Sequence, residues 1–416
     1  MTAPRVDLSG KKVLVTGGTG FIGGRLVERL ILDCRANVRV LVSSFGNLSR
    51  IARMPVEFVH GDITSQEQVQ DAASGCDIIF HCAYGSRGSD KERRQVTVGG
   101  TRNIAEAAHT QGIERLIHVS TMMVYGKTGD GDLDETAPRR KMGDWYPDSK
   151  IEAEKLVFEQ IKARSLPATI VQPTVVYGPY SPPFTVGILQ RLHKKRIILI
   201  NGGEGLCNAV YVDDLVSAML LAAVRKEAVG EAFLVSGAEP VTWREFFACF
   251  EKMLNIDGTV SMAPEEALAY YRQGKKATGA VRRLCRAAAA NPRVRRRVTR
   301  LPAGNIAMRL VDRVGNVSPA PPGVEAETSG NTAKPIHPLL PYQIDFYQAK
   351  TRVRIDKAVR LLGYDPAFDL AAGMALTGKW ASWANLLGDR QLHLGGHWTD
   401  ADEHQAERHH PLLQRG

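Results

Sequence analysis

The chain has 416 residues, 44% of them hydrophobic and 24% charged, and carries a formal net charge of +10. This composition is typical of a globular protein and excludes a fibrous or wholly disordered chain, while the length favours two domains or one large core with an elaborated second lobe. The charge is concentrated between residues 275 and 313, where twelve Lys or Arg and one Asp give +11, so the rest of the chain is close to neutral.

Two further features bear on the compartment and on redox chemistry. The longest apolar run, residues 216–224, is far shorter than the ~20 residues that span a bilayer, and the first residues show no secretory signal pattern. We therefore expect a cytoplasmic protein. The cysteines form no Cys-x-x-Cys pair, so we expect reduced thiols rather than disulfides or a metal site; they are Cys34, Cys76, Cys82, Cys207, Cys249 and Cys285.

About the first 160 residues alternate short apolar runs with amphipathic stretches. Helices are predicted over Phe21–Asp33 and Gly100–Thr110 and from near Tyr146 onwards, and a basic helix is predicted further along at about Leu189–Arg196. Strands are predicted at Lys12–Thr16, Val38–Val42, Val56–His60, Ile78–Cys82, Leu116–Ser120 and Ala168–Gln172. This alternation predicts an α/β fold, a Rossmann-type doubly wound parallel sheet, to which a smaller C-terminal substrate-binding lobe is added.

A glycine-rich turn joins the first predicted strand to the first predicted helix. Gly17 permits a tight turn, Gly20 lets the backbone approach a pyrophosphate, and Gly23 allows close packing of helix on strand. The free N–H groups at the start of a helix favour negative charge. The turn therefore predicts binding of a dinucleotide, NAD or NADP, through Gly17, Thr19, Gly20, Phe21, Ile22 and Gly23.

Further candidate contacts to the dinucleotide follow the third and fourth predicted strands. Asp62, which is followed by Ile63, can accept a hydrogen bond from an adenine amino group. Alternatively, Asp62 caps the helix that the pattern predicts over Thr64–Ala73. Ala83 is small and follows the fourth strand, so that a cofactor can lie against the edge of the sheet there.

The choice between NAD and NADP depends on the end of the second strand. NAD enzymes of this fold usually place Asp or Glu there, and NADP enzymes often place Arg. Here the strand ends in Ser43 and Ser44, and Arg25 and Arg50 are the basic residues expected to reach a 2′-phosphate. The missing carboxylate favours NADP slightly, and NAD stays open.

Tyr146 and Lys150 lie four residues apart at the start of a predicted helix, and so on one face of it. A free Tyr has a pKa of about 10, and a neighbouring ammonium stabilises the phenolate and brings the phenol toward use as a general acid or base. Thr121 ends an earlier strand, at the edge of the sheet where ligands bind in open parallel folds. We therefore predict that Thr121, Tyr146 and Lys150 are catalytic.

At this point the chain resembles the extended short-chain dehydrogenase/reductase superfamily, in its NAD-dependent epimerase/dehydratase branch, over about residues 12–255 and 345–387. The matching motifs are Thr16–Gly23, Asp62, Val124–Gly126, Tyr146 with Lys150, Pro173 with Tyr177–Pro179, Tyr211–Asp214 and Leu362–Pro366. The resemblance implies that Tyr146 is the acid/base, that Lys150 orients the nicotinamide ribose, and that Thr121 completes the triad. It also implies that Pro173 and Val176 lie near the nicotinamide, and it favours a homodimer.

Some positions depart from the family pattern. Thr97 stands where the family often has Asn, so the support that this position gives to the active site is in doubt. Gln172 replaces an Arg that is common in sugar-nucleotide enzymes, which weakens that substrate class. Met122 and Met123 follow Thr121 where sugar dehydratases have Asp and Glu. Because a thioether does not shuttle protons, water elimination is disfavoured, and hydride transfer or epimerisation remains.

Other polar features have competing interpretations. Asp213 opens a helix after a strand, and we interpret it mainly as a helix N-cap, with a substrate role as the alternative. The basic stretch 275–313 has apolar residues at helical spacing, which predicts either a solvated surface helix or contact with an anionic membrane. It lacks the aromatic residues that nucleic-acid binding uses, so no nucleic-acid partner is expected. Five tail histidines without a supporting framework predict no metal site.

The sequence divides into a cofactor half and a substrate half. We predict a Rossmann domain at 1–178 with a return near 205–225, a substrate lobe at 179–260 and 340–388, a basic insertion and linker at 261–339, and a His-rich tail at 389–416. The predicted function is hydride transfer at a hydroxyl or ketone carbon of a nucleotide sugar or other small substrate. The alternatives are a ketoreductase or hydroxysteroid-like dehydrogenase with a lipid-like substrate, and a dinucleotide-binding scaffold or sensor without enzyme activity.

Overall fold

The computed structural model describes residues 6–274 and 336–388. The predictions for the basic stretch at 275–313, for the linker that follows it and for the tail at 389–416 lie outside the described residues. No helix of the described part combines the length and the apolar character that crossing a membrane requires.

The described residues form short strands and helices in alternation. The strands are β1 (Lys12–Thr16), β2 (Asn37–Val42), β3 (Val56–His60), β4 (Ile78–His81), β5 (Arg115–Val119), β6 (Gly131–Leu133), β7 (Ala168–Pro173), β8 (Val175–Tyr177), β9 (Arg196–Ile200), β10 (Leu206–Cys207), β11 (Ala209–Tyr211), β12 (Ala232–Val235), β13 (Val241–Thr242), β14 (Thr259–Met262), β15 (Ile336–His337) and β16 (Thr351–Val353).

The helices lie mostly between strands of the central sheet. They are α1 (Phe21–Leu32), α2 (Gln66–Ala73), α3 (Asp90–Arg94), α4 (Gly100–Thr110), α5 (Trp145–Arg164), α6 (Gly187–Lys194), α7 (Val212–Val224), α8 (Trp243–Leu254), α9 (Pro341–Gln348), α10 (Asp356–Leu362) and α11 (Leu370–Trp383), and residues 264–274 are helical as well.

A seven-stranded parallel sheet forms the centre of the fold, in the order β12-β7-β5-β4-β1-β2-β3. Strands such as β4 and β7 are buried along their whole length, because helices cover both faces of a parallel sheet. The predicted Rossmann-type fold is confirmed, and the predicted strands agree with the observed ones to within about a residue at each end.

Two apolar layers fill the space between the sheet and its helices. Leu26, Val27 and Leu30 of α1 pack on one face together with α7. The other face is covered by α2, α4 and α5, through residues such as Ile104 and Val157. With both faces covered, the carboxyl ends of β1, β4 and β5 are left to carry the functional groups.

A smaller three-stranded parallel sheet, β14-β9-β15, lies in the region predicted as the substrate lobe. Its position corrects two sequence boundaries. The basic helix predicted over Leu189–Arg196 is α6, which ends at Lys194, and Arg196 already begins β9. The predicted start of the insertion at 261 falls inside β14, which pairs with β9 along its whole length.

The two ends of the long segment between 274 and 336 lie close together. The phenol of Tyr270, in the helical residues 264–274, donates a hydrogen bond to the Ile336 carbonyl at 3.2 Å. Ile336 begins β15, which pairs with β9. The chain therefore leaves the substrate lobe and returns to it at one place.

Candidate active site

The predicted site residues converge at the carboxyl edge of the central sheet. Gly17 follows β1, Ala83 follows β4, and Thr121 follows β5, while Tyr146 and Lys150 lie at the start of α5. These three strands are neighbours in the sheet. Parallel strands bring their carboxyl ends to one edge, so segments that are far apart in sequence meet there.

The glycine turn has the shape that a pyrophosphate site requires. Gly17 has a φ of +71°, and a Cβ at this position would lie 2.8 Å from the Ala83 nitrogen. A Cβ at Gly23 would clash with the Gly17 carbonyl. Gly20 is the N-cap of α1, no side chain caps the helix, and its first turn holds no acidic residue. The first-turn amides therefore remain available to a phosphate, and these residues fit a dinucleotide.

At the other end of the predicted cofactor site, Ser43 and Asp62 follow the paired strands β2 and β3. Both side chains are exposed. Asp62 accepts a hydrogen bond from the Thr64 amide at 2.8 Å and does not cap α2, which Ser65 caps instead. The alternative interpretation of Asp62 as a helix cap is therefore wrong. Ile63 is buried and does not face solvent beside Asp62.

The two arginines predicted to reach a 2′-phosphate are held by carboxylates. Arg25 donates to Asp213 at 2.5 Å and to Glu28 at 2.8 Å. Arg50 donates to the two oxygens of Glu28 at 2.5 and 3.0 Å and lies over the Tyr180 ring at 4.4 Å. Arg25 and Arg50, the two candidates for a 2′-phosphate, are therefore both paired with carboxylates in this structure.

The interpretation of Asp213 as a helix cap is also wrong. Tyr211 occupies the N-cap of α7, and Asp213 lies in the first turn, where it is 4% exposed. Its carboxylate bonds Arg25 and, at 3.4 Å, Arg29, both on α1. The residue thus ties the helix that begins at the glycine turn to a helix that packs on the same face of the sheet.

The local structure around Tyr146 fixes the start of α5. Asp144 is the N-cap and accepts a hydrogen bond from the Tyr146 amide at 3.0 Å. Pro147 is tolerated because the first helical turn needs no amide donor. Thr121 caps a short 3-10 turn, Met122–Tyr125, by accepting from the Met123 amide at 3.2 Å. The Thr121 hydroxyl is therefore held by the backbone next to it, whereas the cap at Asp144 holds the backbone of Tyr146 rather than its phenol.

The electrostatic setting of the catalytic pair differs in part from the sequence expectation. Burial raises the pKa of Tyr146, the phenol of Tyr84 adds to this effect, and a hydrogen bond with Thr121 opposes it. Lys150 is 3% exposed and donates to the Val119 carbonyl at 2.8 Å, and burial lowers its pKa to about 8. The expected lowering of the Tyr146 pKa is not seen in this structure, because burial outweighs it.

The remaining residues predicted to lie near the nicotinamide, Pro173 and Val176, are both buried. Pro173 ends β7, and Val176 lies in β8, which pairs with β11. Gln172 bonds Glu154 and Tyr125, each at 2.8 Å, so it belongs to a buried structural network. Neither the sequence nor the structure places a carboxylate directly after Thr121.

Sequence reasoning missed the aromatic residues around Tyr146. The Tyr84 and Trp145 rings lie 5.8 and 5.7 Å from the Tyr146 ring, both edge-on. The sequence also left the role of Thr97 in doubt. In the structure, the Thr97 hydroxyl accepts a hydrogen bond from the Gly85 amide at 3.0 Å and so holds the loop that carries Tyr84. The sequence offered one signal for these contacts, namely that an aromatic residue, Tyr84, directly follows the cofactor-site candidate Ala83.

A parallel sheet with a glycine turn at the start of α1 and a Thr, Tyr and Lys group at the same edge defines an NAD-dependent enzyme of the extended short-chain dehydrogenase/reductase class. The model of the NAD dependent epimerase/dehydratase family matches residues 13–236, and the chain belongs to that family.

Relatives and solved structures agree with this membership. The chain is 29% identical, over 62% of its length and 77% of the relative's, to a 4-hydroxy-2-methyl-3-oxo-4-farnesyl-3,4-dihydroquinoline-1-oxide ketoreductase from Stigmatella aurantiaca. It is 30% identical, over 56% of its length and 67% of the relative's, to a 3 beta-hydroxysteroid dehydrogenase/Delta 5-->4-isomerase from Mycobacterium tuberculosis. The fold is similar to that of dTDP-glucose 4,6-dehydratase DesIV from Streptomyces venezuelae, which was solved with NAD bound. The TM-score is 0.63 and the sequence identity is 21%, over 90% of this chain and 98% of that chain.

Proposed function

We propose that this protein transfers hydride between a nicotinamide dinucleotide and the carbon of a ketone or secondary alcohol in an apolar, lipid-like substrate. The observation that carries this proposal is the arrangement of Thr121, Tyr146 and Lys150 at one edge of the sheet, with the Tyr84 and Trp145 rings beside Tyr146. This replaces the nucleotide sugar as the first choice of substrate.

The chain's own residues supply proton transfer and orientation. Tyr146 donates its phenolic proton to the carbonyl oxygen as the carbon is reduced, and it takes the proton back in the oxidation direction. Thr121 holds that same oxygen through its hydroxyl group. Lys150 binds the ribose hydroxyls through its ammonium. The dinucleotide, when bound by the glycine turn, supplies or accepts the hydride.

The surroundings of the reaction point support an apolar substrate. Met122 and Met123 follow Thr121, and Gln172 is committed to its buried network. The two relatives named above are a ketoreductase of a farnesylated quinoline oxide and a hydroxysteroid dehydrogenase. A sugar carries many hydroxyls that need polar partners, whereas a lipid-like ketone needs one partner for its oxygen.

For the cofactor, we propose NAD rather than NADP. The notable charges near α1, on Arg25 and Arg50, are neutralised by Glu28 and Asp213. A 2′-phosphate would compete with the carboxylates of these partly buried pairs, which lowers what it gains from the two arginines. Titration of the purified protein with NADH and NADPH, followed by cofactor fluorescence, tests this. We expect NADH to bind at least about tenfold more tightly, and equal affinity would contradict the proposal.

The activity itself is tested by a substrate panel. The purified protein is incubated with NADH and either 1-tetralone or decan-2-one, or with NAD and UDP-glucose, and NADH oxidation and sugar products are measured. We expect reduction of the two ketones and no change of the sugar. Epimerised UDP-glucose without ketone reduction would move the protein to the nucleotide-sugar class, and no turnover of any substrate despite tight NADH binding would favour a scaffold or sensor.

Two features of the assembly are proposals of the same kind. We propose a homodimer, to be measured by light scattering after size-exclusion chromatography. We also propose contact of the basic stretch 275–313 with anionic membranes, because its charge is +11. Sedimentation with and without anionic vesicles measures this contact, and pelleting that does not depend on the anionic lipid contradicts it.

A further inference from the structure

Three aromatic rings meet at the reaction point. The Tyr146 ring has the Tyr84 ring at 5.8 Å and an interplanar angle of 67°, and the Trp145 ring at 5.7 Å and 69°. We call these three rings the aromatic rim. Tyr84 is 46% exposed although it lies beside a buried lysine, so part of its ring is presented to whatever approaches Tyr146.

The backbone holds Tyr84 in this place from both sides. On one side, Ala83 lies so close to the glycine turn that a Cβ at Gly17 would come within 2.8 Å of its nitrogen. On the other side, the Gly85 amide donates to the Thr97 hydroxyl at 3.0 Å, and that hydroxyl donates to the Arg93 carbonyl at 2.9 Å. A Cβ at Gly85 would clash with the Arg93 backbone. The loop with Tyr84 is therefore packed tightly against α3.

The same short helix holds Trp145. The Arg93 guanidinium lies 4.1 Å from the centre of the Trp145 ring and is paired with Asp90. A capping box between Ser89 and Glu92 fixes the start of α3. Cation–π contact with a paired arginine orients the indole ring. Two rings from different segments are thus set beside Tyr146 by one structural element.

Tyr84 brings a polar group to the rim as well as a ring. Burial raises the pKa of its phenol, so the hydroxyl stays protonated and can donate. The Lys150 ammonium lies 5.7 Å from the centre of the Tyr84 ring. A side chain in this position has two readily distinguished roles. It either shields Lys150 from water, or it also contacts the substrate.

We propose that Tyr84 and Trp145 are specificity residues that select a substrate whose ketone is carried on a flat, unsaturated ring. Rings held in fixed positions gain from offset or edge-to-face contact with another flat ring and lose little freedom on binding, whereas a flexible chain gains less and loses more. The inference rests on the proposed function, since it names the substrate class of that same site.

Equilibrium binding separates this inference from the proposed reaction. The full-length protein is saturated with NAD, with which a ketone cannot react, and the binding of two ketones is measured by titration calorimetry. The ketones are 1-tetralone, a flat bicyclic ketone, and decan-2-one, a linear ketone of equal carbon number. The variants are Tyr84→Leu, Tyr84→Phe and Trp145→Leu. Trp383→Leu is the matched control, because Trp383 is 79% exposed at the end of α11. Thermal melts establish that each variant is folded.

We expect the wild-type protein to bind 1-tetralone about tenfold more tightly than decan-2-one, which corresponds to about 1.4 kcal/mol. Tyr84→Leu and Trp145→Leu should each remove most of this preference, while Tyr84→Phe and Trp383→Leu should keep it. Equal wild-type binding of the two ketones, or a loss in Tyr84→Leu that is the same for both, would overturn the inference. If Tyr84→Leu does not fold, Trp145→Leu decides. Absence of turnover with the binding preference intact would instead refute the proposed function alone.

Discussion

The glycine turn and the catalytic edge lie side by side, yet they work by different means. In the proposed mechanism the backbone of the glycine turn performs the binding, and the sequence matters because a Cβ at Gly17 or Gly23 would occupy the space that neighbouring backbone already fills. At the catalytic edge, the same proposal assigns the chemistry to the side chains of Thr121, Tyr146 and Lys150. Substitutions in the glycine turn should therefore act through side-chain volume, and those at the catalytic edge through proton affinity and charge.

The largest expected effect comes from removing a single hydroxyl group at the catalytic edge. Tyr146→Phe keeps the ring and its contacts with Tyr84 and Trp145, but removes the proton that the carbonyl oxygen requires. We expect kcat to fall by about 10² to 10⁴, with the NADH dissociation constant unchanged. Steady-state kinetics and fluorescence titration measure the two quantities. A variant with more than a tenth of wild-type kcat would exclude Tyr146 as the acid/base.

A smaller effect is expected from adding one methyl group to the glycine turn. Gly23→Ala places a Cβ against the Gly17 carbonyl, and such overpacking costs about 2 kcal/mol. We expect the affinity for NADH to fall about 30-fold and the melting temperature to fall with it. Gly129→Ala is the control, since a Cβ there meets no atom within 4 Å. If both variants bind NADH as tightly as the wild type does, NADH binding does not depend on the missing side chain at Gly23.

The third prediction concerns pH and Lys150. Because burial lowers the pKa of this lysine to about 8, its ammonium is lost as pH rises above about 8, and we expect NADH affinity to fall by about tenfold per pH unit there. The pKa of Cys82 is raised to about 12, and that of Tyr146 is raised as well, so both titrate above this window.

Stability should respond to Lys150 in the opposite direction. The unfolded chain keeps its lysine protonated up to the ordinary value of 10.5, and it therefore binds more protons than the folded chain between about pH 8 and 10.5. The contribution of Lys150 to the free energy of unfolding rises with pH in this window. Lys150→Arg keeps its charge and should flatten both dependences. Unchanged pH profiles in Lys150→Arg would assign them to another group.

The two regions also differ in how far the sequence predicts them. Strands β1 and β3 and helix α4 have the predicted bounds, because buried parallel strands and alternating helices leave a local pattern. The glycine turn was predicted for the same reason. The partner of Asp213 was not, because Arg25 is 188 residues away in the chain. Strands β9, β14 and β15 are short, and among residues 6–274 and 336–388 they pair only with one another, so their pattern is not local either.

The aromatic rim falls between these cases. Tyr146 was found from its spacing to Lys150, but the approach of Tyr84 depends on the bend of the loop after β4, which Gly85 and Thr97 set. A single threonine in place of the family's asparagine does not reveal that bend. Contacts of this kind arise from tertiary packing, and they are therefore read from a structure rather than from spacing.

The hydrogen bond between Tyr270 and Ile336 has a consequence for how this protein can vary. A segment whose two ends lie close together can change its length without altering the path of the chain elsewhere, and insertions are tolerated at such places. We therefore expect that the stretch between residues 275 and 335 can be lengthened, shortened or exchanged while the cofactor half retains its connectivity. The same junction is a suitable place to graft a reporter domain.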